Sequence, residues 1–297
     1  MAQKLHGVLT PLITPFGADG EIDHKQLRAL VDRSIDGGVH GVCVCGSSGE
    51  FQTLTSAERR QVVETVVEHT AGRVPVIAQT GALQTREALE LTRHAHEVGA
   101  DVAMVIAPYY EPLSLDAVKN YYRTVADSVE IPIMLYNMPS VTGVDLQVDT
   151  VGELARQCAN IDYVKNTSPD MAHAVQLVHE LDGLVTTFVG WDSLALSSFV
   201  EGAGVMAATA NVVPAQLVAV YDAVQAGDLV QAQRLWKNLY PFIGAIDAEP
   251  FIAAVKWCLD TSGLAVGPSR IASQPITEAS ARRLAQLTSD ALAQSHA

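Results

Sequence analysis

Short, continuous apolar runs alternate along this chain with longer stretches whose apolar residues fall at helical spacing. The first run, residues 7–16 (GVLTPLITPF), is rich in β-branched side chains and closes at Pro15 and the turn-like Gly17-Ala18-Asp19-Gly20. Residues 23–36 then place Leu27, Leu30, Val31 and Ile35 on one face before Gly37-Gly38, which predicts a helix. The run 41–46 (GVCVCG) predicts a second strand, and Thr55-Ser56-Ala57-Glu58 is a capping box opening a helix to about Thr70. The same pairing predicts strand 74–79 with helix 85–98, strand 101–107 with helix 115–129, and strand 131–136 with helix 148–158. It continues with strand 161–168 and helix 171–181, strand 186–189 and helix 194–200, and strand 205–209 and helix 215–226.

Unbroken apolar strands are what a parallel sheet requires when helices cover it. Eight strand–helix pairs over roughly 220 residues fit a (β/α)8 TIM barrel better than an open doubly wound sheet. Beyond Ala226 the strands stop, and helices are predicted over 228–240, 249–259 and 277–295. No linker or low-complexity segment sets them apart. The predicted organisation is therefore a barrel over 1–226 carrying the candidate catalytic lysine, with a C-terminal helical appendage over 227–297 packed on it.

Charge narrows the function. The net charge of −14 over 297 residues is spread across many helices, which argues against nucleic acid and anionic membrane surfaces as partners. Residues 1–6 hold no apolar core long enough for a signal peptide, and no apolar run approaches a membrane span. Cys43, Cys45, Cys158 and Cys258 form neither a CxxC pair nor a zinc spacing, so they read as buried thiols in a reducing cytoplasm. His94, His96, His173 and His179 fall in helices or loops, so neither a metal site nor a cofactor is expected.

Candidate chemistry centres on residues 161–168 (IDYVKNTS), a short apolar strand with a lysine near its far end. The other five lysines, Lys4, Lys25, Lys119, Lys237 and Lys256, fall on polar or helical stretches. A buried ammonium must be paired or give up its proton, and a neutral lysine is a nucleophile toward ketones. Pairing with a carboxylate, or reaching solvent past the strand end, are the structural alternatives. Barrel active sites lie at the carboxyl ends of the strands. The residues predicted there include Thr14, Ser47, Ser48, Tyr109, Tyr110, Tyr136, Asn137, Lys165, Trp191, Asp192, Thr209 and Asn211. Ser47-Ser48-Gly49 can present amides and hydroxyls to a carboxylate, or be an ordinary capped turn. Gly202-Ala203-Gly204 precedes the eighth strand, which makes a phosphate site after it a poor fit.

Five segments in order, Thr14-Pro15-Phe16, Gly46-Ser47-Ser48-Gly49-Glu50, Pro108-Tyr109-Tyr110, Tyr136-Asn137-Met138-Pro139 and Val164-Lys165-Asn166-Thr167-Ser168, together resemble the dihydrodipicolinate synthase / N-acetylneuraminate lyase family of Schiff-base pyruvate lyases. The resemblance covers nearly the whole chain. It implies that Lys165 forms a Schiff base with pyruvate or another 2-keto acid, that Tyr136 shuttles protons, and that Ser47 and Ser48, with Gly49, hold the carboxylate. It further implies that Tyr110 acts across a subunit interface in a homotetramer, a dimer of dimers. Two departures bear on the substrate. Val141 follows Pro139-Ser140 where the synthases carry an arginine for a substrate carboxylate. Gly190-Trp191-Asp192-Ser193 and Ala207-Ala208-Thr209 replace the sialic-acid pocket, leaving Asp192 and Thr209 to contact the variable part of the substrate. The expected activity is an aldolase or dehydratase acting on a 2-keto acid, with 2-keto-3-deoxy sugar acids as one substrate class. Dihydrodipicolinate synthase, N-acetylneuraminate lyase and a catalytically silent binding barrel are the alternatives.

Overall fold

Eight parallel strands close on themselves in sequence order in the computed structural model, which describes residues 4–293 apart from Pro112. They are β1 (Val8–Pro11), β2 (Gly41–Val44), β3 (Val76–Gln79), β4 (Val102–Ile106), β5 (Ile133–Asn137), β6 (Ile161–Asn166), β7 (Thr186–Val189) and β8 (Gly204–Met206). Around them run α1 (His24–Asp36), α2 (Ser56–Thr70), α3 (Thr85–Glu97), α4 (Leu115–Ala126), the short α5 (Pro139–Thr142), α6 (Val148–Gln157), α7 (Met171–Glu180), α8 (Ala195–Val200) and α9 (Pro214–Gln225). Three further helices, α10 (Leu229–Asp247), α11 (Phe251–Thr261) and α12 (Glu278–Ala293), follow the barrel. Leu239, Phe242, Ile246, Val255, Leu259 and Leu284 from these helices share one buried cluster with barrel residues such as Leu9, Val42 and Met206. No described helix is long and apolar enough to cross a membrane.

The fold is a (β/α)8 TIM barrel with C-terminal helices, and most predicted elements lie within a few residues of their places. Four differences matter. The first strand is only Val8–Pro11, and Phe16 makes an isolated antiparallel bridge to Ile22 instead of extending it. The last strand ends at Met206, and Thr209 lies in a 3-10 turn, Ala208–Asn211. The turn α5 was not anticipated. The helix expected to stop at Tyr240, ahead of Pro241, runs on to Asp247. Pro241 removes one backbone donor, but Leu239, Phe242, Ile243, Ala245 and Ile246 are all buried, and that apolar face outweighs the missing bond. Residues 1–3 and the expected helix end at Ser295 lie outside the described residues.

One register detail places the chemistry. Between β5 and β6, Ile133 pairs with Ile161 but Met134 pairs with Tyr163, so Asp162 is an extra residue on the β6 side. The shift sets Tyr136 beside Lys165, where an unshifted ladder would have set it beside Val164. Because successive side chains point to opposite faces, that single residue brings Tyr136 and Lys165 onto the same face of the sheet.

Candidate active site

Lys165 and Tyr136 meet at the carboxyl end of the barrel, where the Lys165 ammonium nitrogen lies 4.2 Å from the centroid of the Tyr136 ring. Both side chains are buried, Lys165 being 5% exposed. Among the described residues Lys165 forms no ion pair within 4.0 Å. That separates it from Lys256, which is equally buried on α11 but pairs with Glu50 at 2.7 Å. Of the two buried lysines, only Lys165 is left free for chemistry. Helical spacing gave no sign that Lys256 was buried; the one signal was its place inside the apolar run Phe251-Ile252-Ala253-Ala254-Val255-Lys256-Trp257.

The strand ends are held rigidly. Asn137 donates through Nδ2 to Asp145 Oδ1 at 2.8 Å and to Asn166 Oδ1 at 2.9 Å, and its own Oδ1 accepts from the Leu146 N–H at 3.0 Å. β5 and β6 are thus tied together immediately beyond the tyrosine and the lysine. The Tyr136 hydroxyl lies 3.2 Å from Ser47 Oγ and 3.2 Å from the sulfur of Met138. The serine loop follows β2 and is anchored from the segment after β1 by Thr14 Oγ1, which donates to the Gly49 carbonyl at 2.7 Å. A side chain at residue 49 would press on the Leu12 carbonyl at 3.0 Å, which favours glycine there.

These groups border a cavity of about 380 Å³, lined by Pro11, Ser47, Ser48, Tyr136, Met138 and Lys165 on one side. Thr167, Trp191, Asp192, Asp247, Phe251 and Ile252 line the other. A larger cavity of about 490 Å³ opens where the strands begin, around Lys4, Val102, Asp162 and Thr186. The larger one holds none of the strand-end residues, so the smaller is the candidate site. Gly190 lets β6 and β7 approach there. A Cβ on it would stand 2.1 Å from Thr167 Oγ1 and 2.7 Å from Lys165 Cε.

The far wall is acidic. Asp192 is buried, and its two oxygens accept the Ala208 N–H at 3.2 Å and the Thr209 N–H at 2.7 Å. Burial raises its pKa, and those two amides oppose the rise. Asp247 keeps contact with solvent at the mouth, yet partial desolvation and the charge of Asp192 push its carboxyl up to about 6. Thr167 Oγ1 is buried without a hydrogen-bond partner.

The cavity therefore brings together Lys165, Tyr136, Ser47, Ser48 and Asp192. Of the strand-end residues, Thr14, Tyr109, Asn137 and Asn211 are not in its lining, and neither are three of the residues given a catalytic or substrate role. Thr209 is fully buried and serves Asp192 through its amide, Gly49 packs against Leu12 and Thr14 beyond β1, and Tyr110 stands 82% exposed on the loop after β4. Met138, Thr167, Asp247, Phe251 and Ile252 were missed. Met138 and Thr167 sat inside quoted motifs as neighbours of more conspicuous residues. The other three come from helices beyond the barrel, where periodicity says nothing about which face a site borrows. Cys43 and Cys45 are buried thiols with pKa values raised to about 12 and about 11 by burial; Cys45 lies past the end of β2 with φ 55°.

A parallel barrel that keeps one buried lysine free of carboxylates, against a tyrosine ring, belongs with the Schiff-base lyases. The chain matches the Dihydrodipicolinate synthetase family over residues 4–294. It is 40% identical to a 4-hydroxy-tetrahydrodipicolinate synthase of Methanoculleus marisnigri, over 94% of this chain and 96% of that one. It is 38% identical to an uncharacterized DapA-like lyase of Halobacterium salinarum, over 90% of this chain and 87% of that one. Among solved structures, YagE, a prophage protein from E. coli K12 solved with pyruvate, superposes with a TM-score of 0.92 at 32% identity, over 97% of this chain and 98% of that one. The chain belongs to the dihydrodipicolinate synthetase family, and it is a lyase of the Schiff-base type.

Proposed function

We propose that the protein is a class I lyase in which Lys165 condenses with the ketone of pyruvate or a related 2-keto acid. The nitrogen attacks the carbonyl carbon, and loss of water leaves an iminium that draws electrons from the neighbouring carbon. That electron sink serves C–C bond formation, C–C cleavage or loss of water from the adjacent position. Tyr136, with its hydroxyl 3.2 Å from Ser47 Oγ, carries protons to and from the reacting centre. Ser47 and Ser48 receive the keto-acid carboxylate. The observation that carries this reading is the unpaired, buried Lys165 lying in register with Tyr136 at the cavity.

For the second substrate we infer a hydroxylated carbon chain. Asp192 has lone pairs left after two backbone bonds, Thr167 offers an unpartnered hydroxyl, and Asp247 stands at the mouth. Such a wall hydrogen-bonds to sugar-like hydroxyls. Lys165 is the one cation in the cavity lining, and Val141 is 44% exposed on α5 outside that lining. A 2-keto-3-deoxy sugar acid suits this site better than an aldehyde that brings its own carboxylate. The second reading, 4-hydroxy-tetrahydrodipicolinate synthase, is favoured by the name of the Methanoculleus relative. The native enzyme is read as a cytoplasmic homotetramer in which Tyr110 reaches a neighbouring subunit's site.

Trapping with pyruvate and borohydride, read by intact mass, tests the nucleophile. Wild type is expected to gain one stable adduct and Lys165→Ala none; stoichiometric labelling of Lys165→Ala would refute the assignment. A panel of 2-keto-3-deoxy sugar acids, sialic acid and aspartate semialdehyde tests the substrate. A kcat/KM of about 10⁴ M⁻¹s⁻¹ or more with pyruvate and aspartate semialdehyde would make the second reading correct.

A further inference from the structure

Glu50 closes the serine loop in an unusual state. Its backbone is left-handed, with φ 57°, a conformation that costs a non-glycine residue energy and persists only where the surroundings enforce it. Its carboxylate is completely buried and meets Lys256 of α11 at 2.7 Å. The same carboxylate accepts Ser269 Oγ at 2.6 Å and the Ile271 N–H at 2.9 Å. Lys256 in turn donates to the Pro268 carbonyl at 3.0 Å and lies 4.4 Å from the centre of the Phe16 ring. Arg270 lies 4.2 Å from the same ring and donates to the Gly20 carbonyl at 2.6 Å. All of these contacts but the Lys256–Pro268 bond join the loops at the top of β1 and β2 to the chain beyond the barrel.

A buried ion pair is a poor route to stability, because desolvating both charges offsets most of their attraction. What such a pair does well is fix one geometry. Here the fixed residue is two positions from Ser48, and Gly49 between them is held by Thr14, which donates to its carbonyl.

We propose that the Glu50–Lys256 ion pair is a positioning element that holds Ser47 and Ser48 in the geometry that receives the keto-acid carboxylate, so that the helices beyond the barrel set substrate affinity. This rests on the carboxylate role given above to the two serines. Neither Glu50 nor Lys256 lines the cavity, so both act through the loop. Disturbing the pair should weaken capture of the keto acid while leaving the chemistry of Lys165 intact once the site is full.

The experiment compares wild type, the neutral double variant Glu50→Gln/Lys256→Met, Ser269→Ala, and Ser48→Ala. Each is titrated with pyruvate under borohydride trapping, with circular dichroism and thermal melts alongside. The double variant orphans no buried charge and is expected to fold. Its half-saturating pyruvate concentration should rise about tenfold or more, while the labelling rate at saturation stays within about threefold of wild type. Ser269→Ala should move affinity the same way by about threefold, and Lys256→Arg, which keeps the charge, should recover part of the loss. A double variant that melts earlier yet saturates at the wild-type pyruvate concentration would show a purely structural pair and overturn the proposal. Should it not fold, Ser269→Ala decides by the same criterion: an unchanged half-saturating concentration overturns the proposal. Ser48→Ala separates the two ideas. Unchanged pyruvate affinity there refutes the serine assignment itself, whereas weakened affinity there with none in the ion-pair variants refutes only the positioning role.

Discussion

Asp247 brings a titration in the ordinary pH range to the cavity mouth. Its carboxyl is pushed up to about 6, by desolvation first and by the neighbouring Asp192 charge second, while Ser193 hydrogen-bonds to it and opposes the rise. A raised carboxylate favours the folded protein in its protonated form. Its contribution to stability is therefore present below the ordinary Asp value and lost as pH rises through about 6. The consequence for function is sharper. Below that pH the cavity mouth carries one fewer negative charge, and above it an incoming carboxylate meets like charge. The ratio of kcat/KM for succinate semialdehyde to that for glyceraldehyde should fall about fivefold as pH rises from about 5 to about 7. Asp247→Asn should flatten the ratio at its acid-side level. Competing-substrate kinetics across that range provide the check, and a ratio independent of pH in wild type would mean that Asp247 does not face the second substrate.

Among the elements, α2 shows how a local signal and a distant partner combine. Thr55 and Glu58 form the capping box read from the sequence, with the Thr55 N–H donating to Glu58 Oε2 at 2.7 Å. The other carboxylate oxygen meets Arg270 at 2.7 Å, and that contact is the main reason the Glu58 pKa lies below its usual 4.5. A depressed carboxylate stabilises the fold above the unfolded value and loses that contribution as pH falls through the folded one. Glu58→Gln should therefore cost about 1 kcal/mol at neutral pH, read as a drop in Tm of about 2–4 °C. The gap from wild type should narrow as the pH is lowered below the ordinary Glu value of 4.5; a gap constant with pH would assign the effect to packing. The cap was legible because it uses residues three apart, whereas Arg270 was not, since no spacing rule links it to Glu58. The same division explains α10. Pro241 is a sound stop signal by itself, and only the burial of Phe242, Ile243 and Ile246 against the barrel carries the helix past it to deliver Asp247. Lys165 and Tyr136 were legible as strand-end residues of apolar runs, but their alignment depends on the extra residue Asp162, which no composition or period announces.

For the whole molecule, the most telling surface lies on the loops and helix start after β3 and β4. Tyr110 stands 82% exposed there, with Leu83 at 47%, Leu113 at 37% and Leu115 at 40%. An exposed aromatic residue among aliphatic ones is the composition of an interface core. The motif Pro108-Tyr109-Tyr110 placed Tyr110 with the catalytic residues, yet within one chain it stands apart from the cavity while Tyr109 packs edge-on against Phe51. Both facts are met if Tyr110 serves the site of a second copy. Lys165→Ala and Tyr110→Phe should then each be nearly inactive alone, and mixed subunits should recover activity. In a hybrid pair one site inherits both defects and the other neither; with half of all pairs hybrid, about a quarter of wild-type activity should return. Differently tagged subunits show that hybrids form, by recovery through both tags in succession, and allow them to be isolated. Isolated hybrids with no more activity than the parent variants would place the Tyr110 hydroxyl outside the catalytic path.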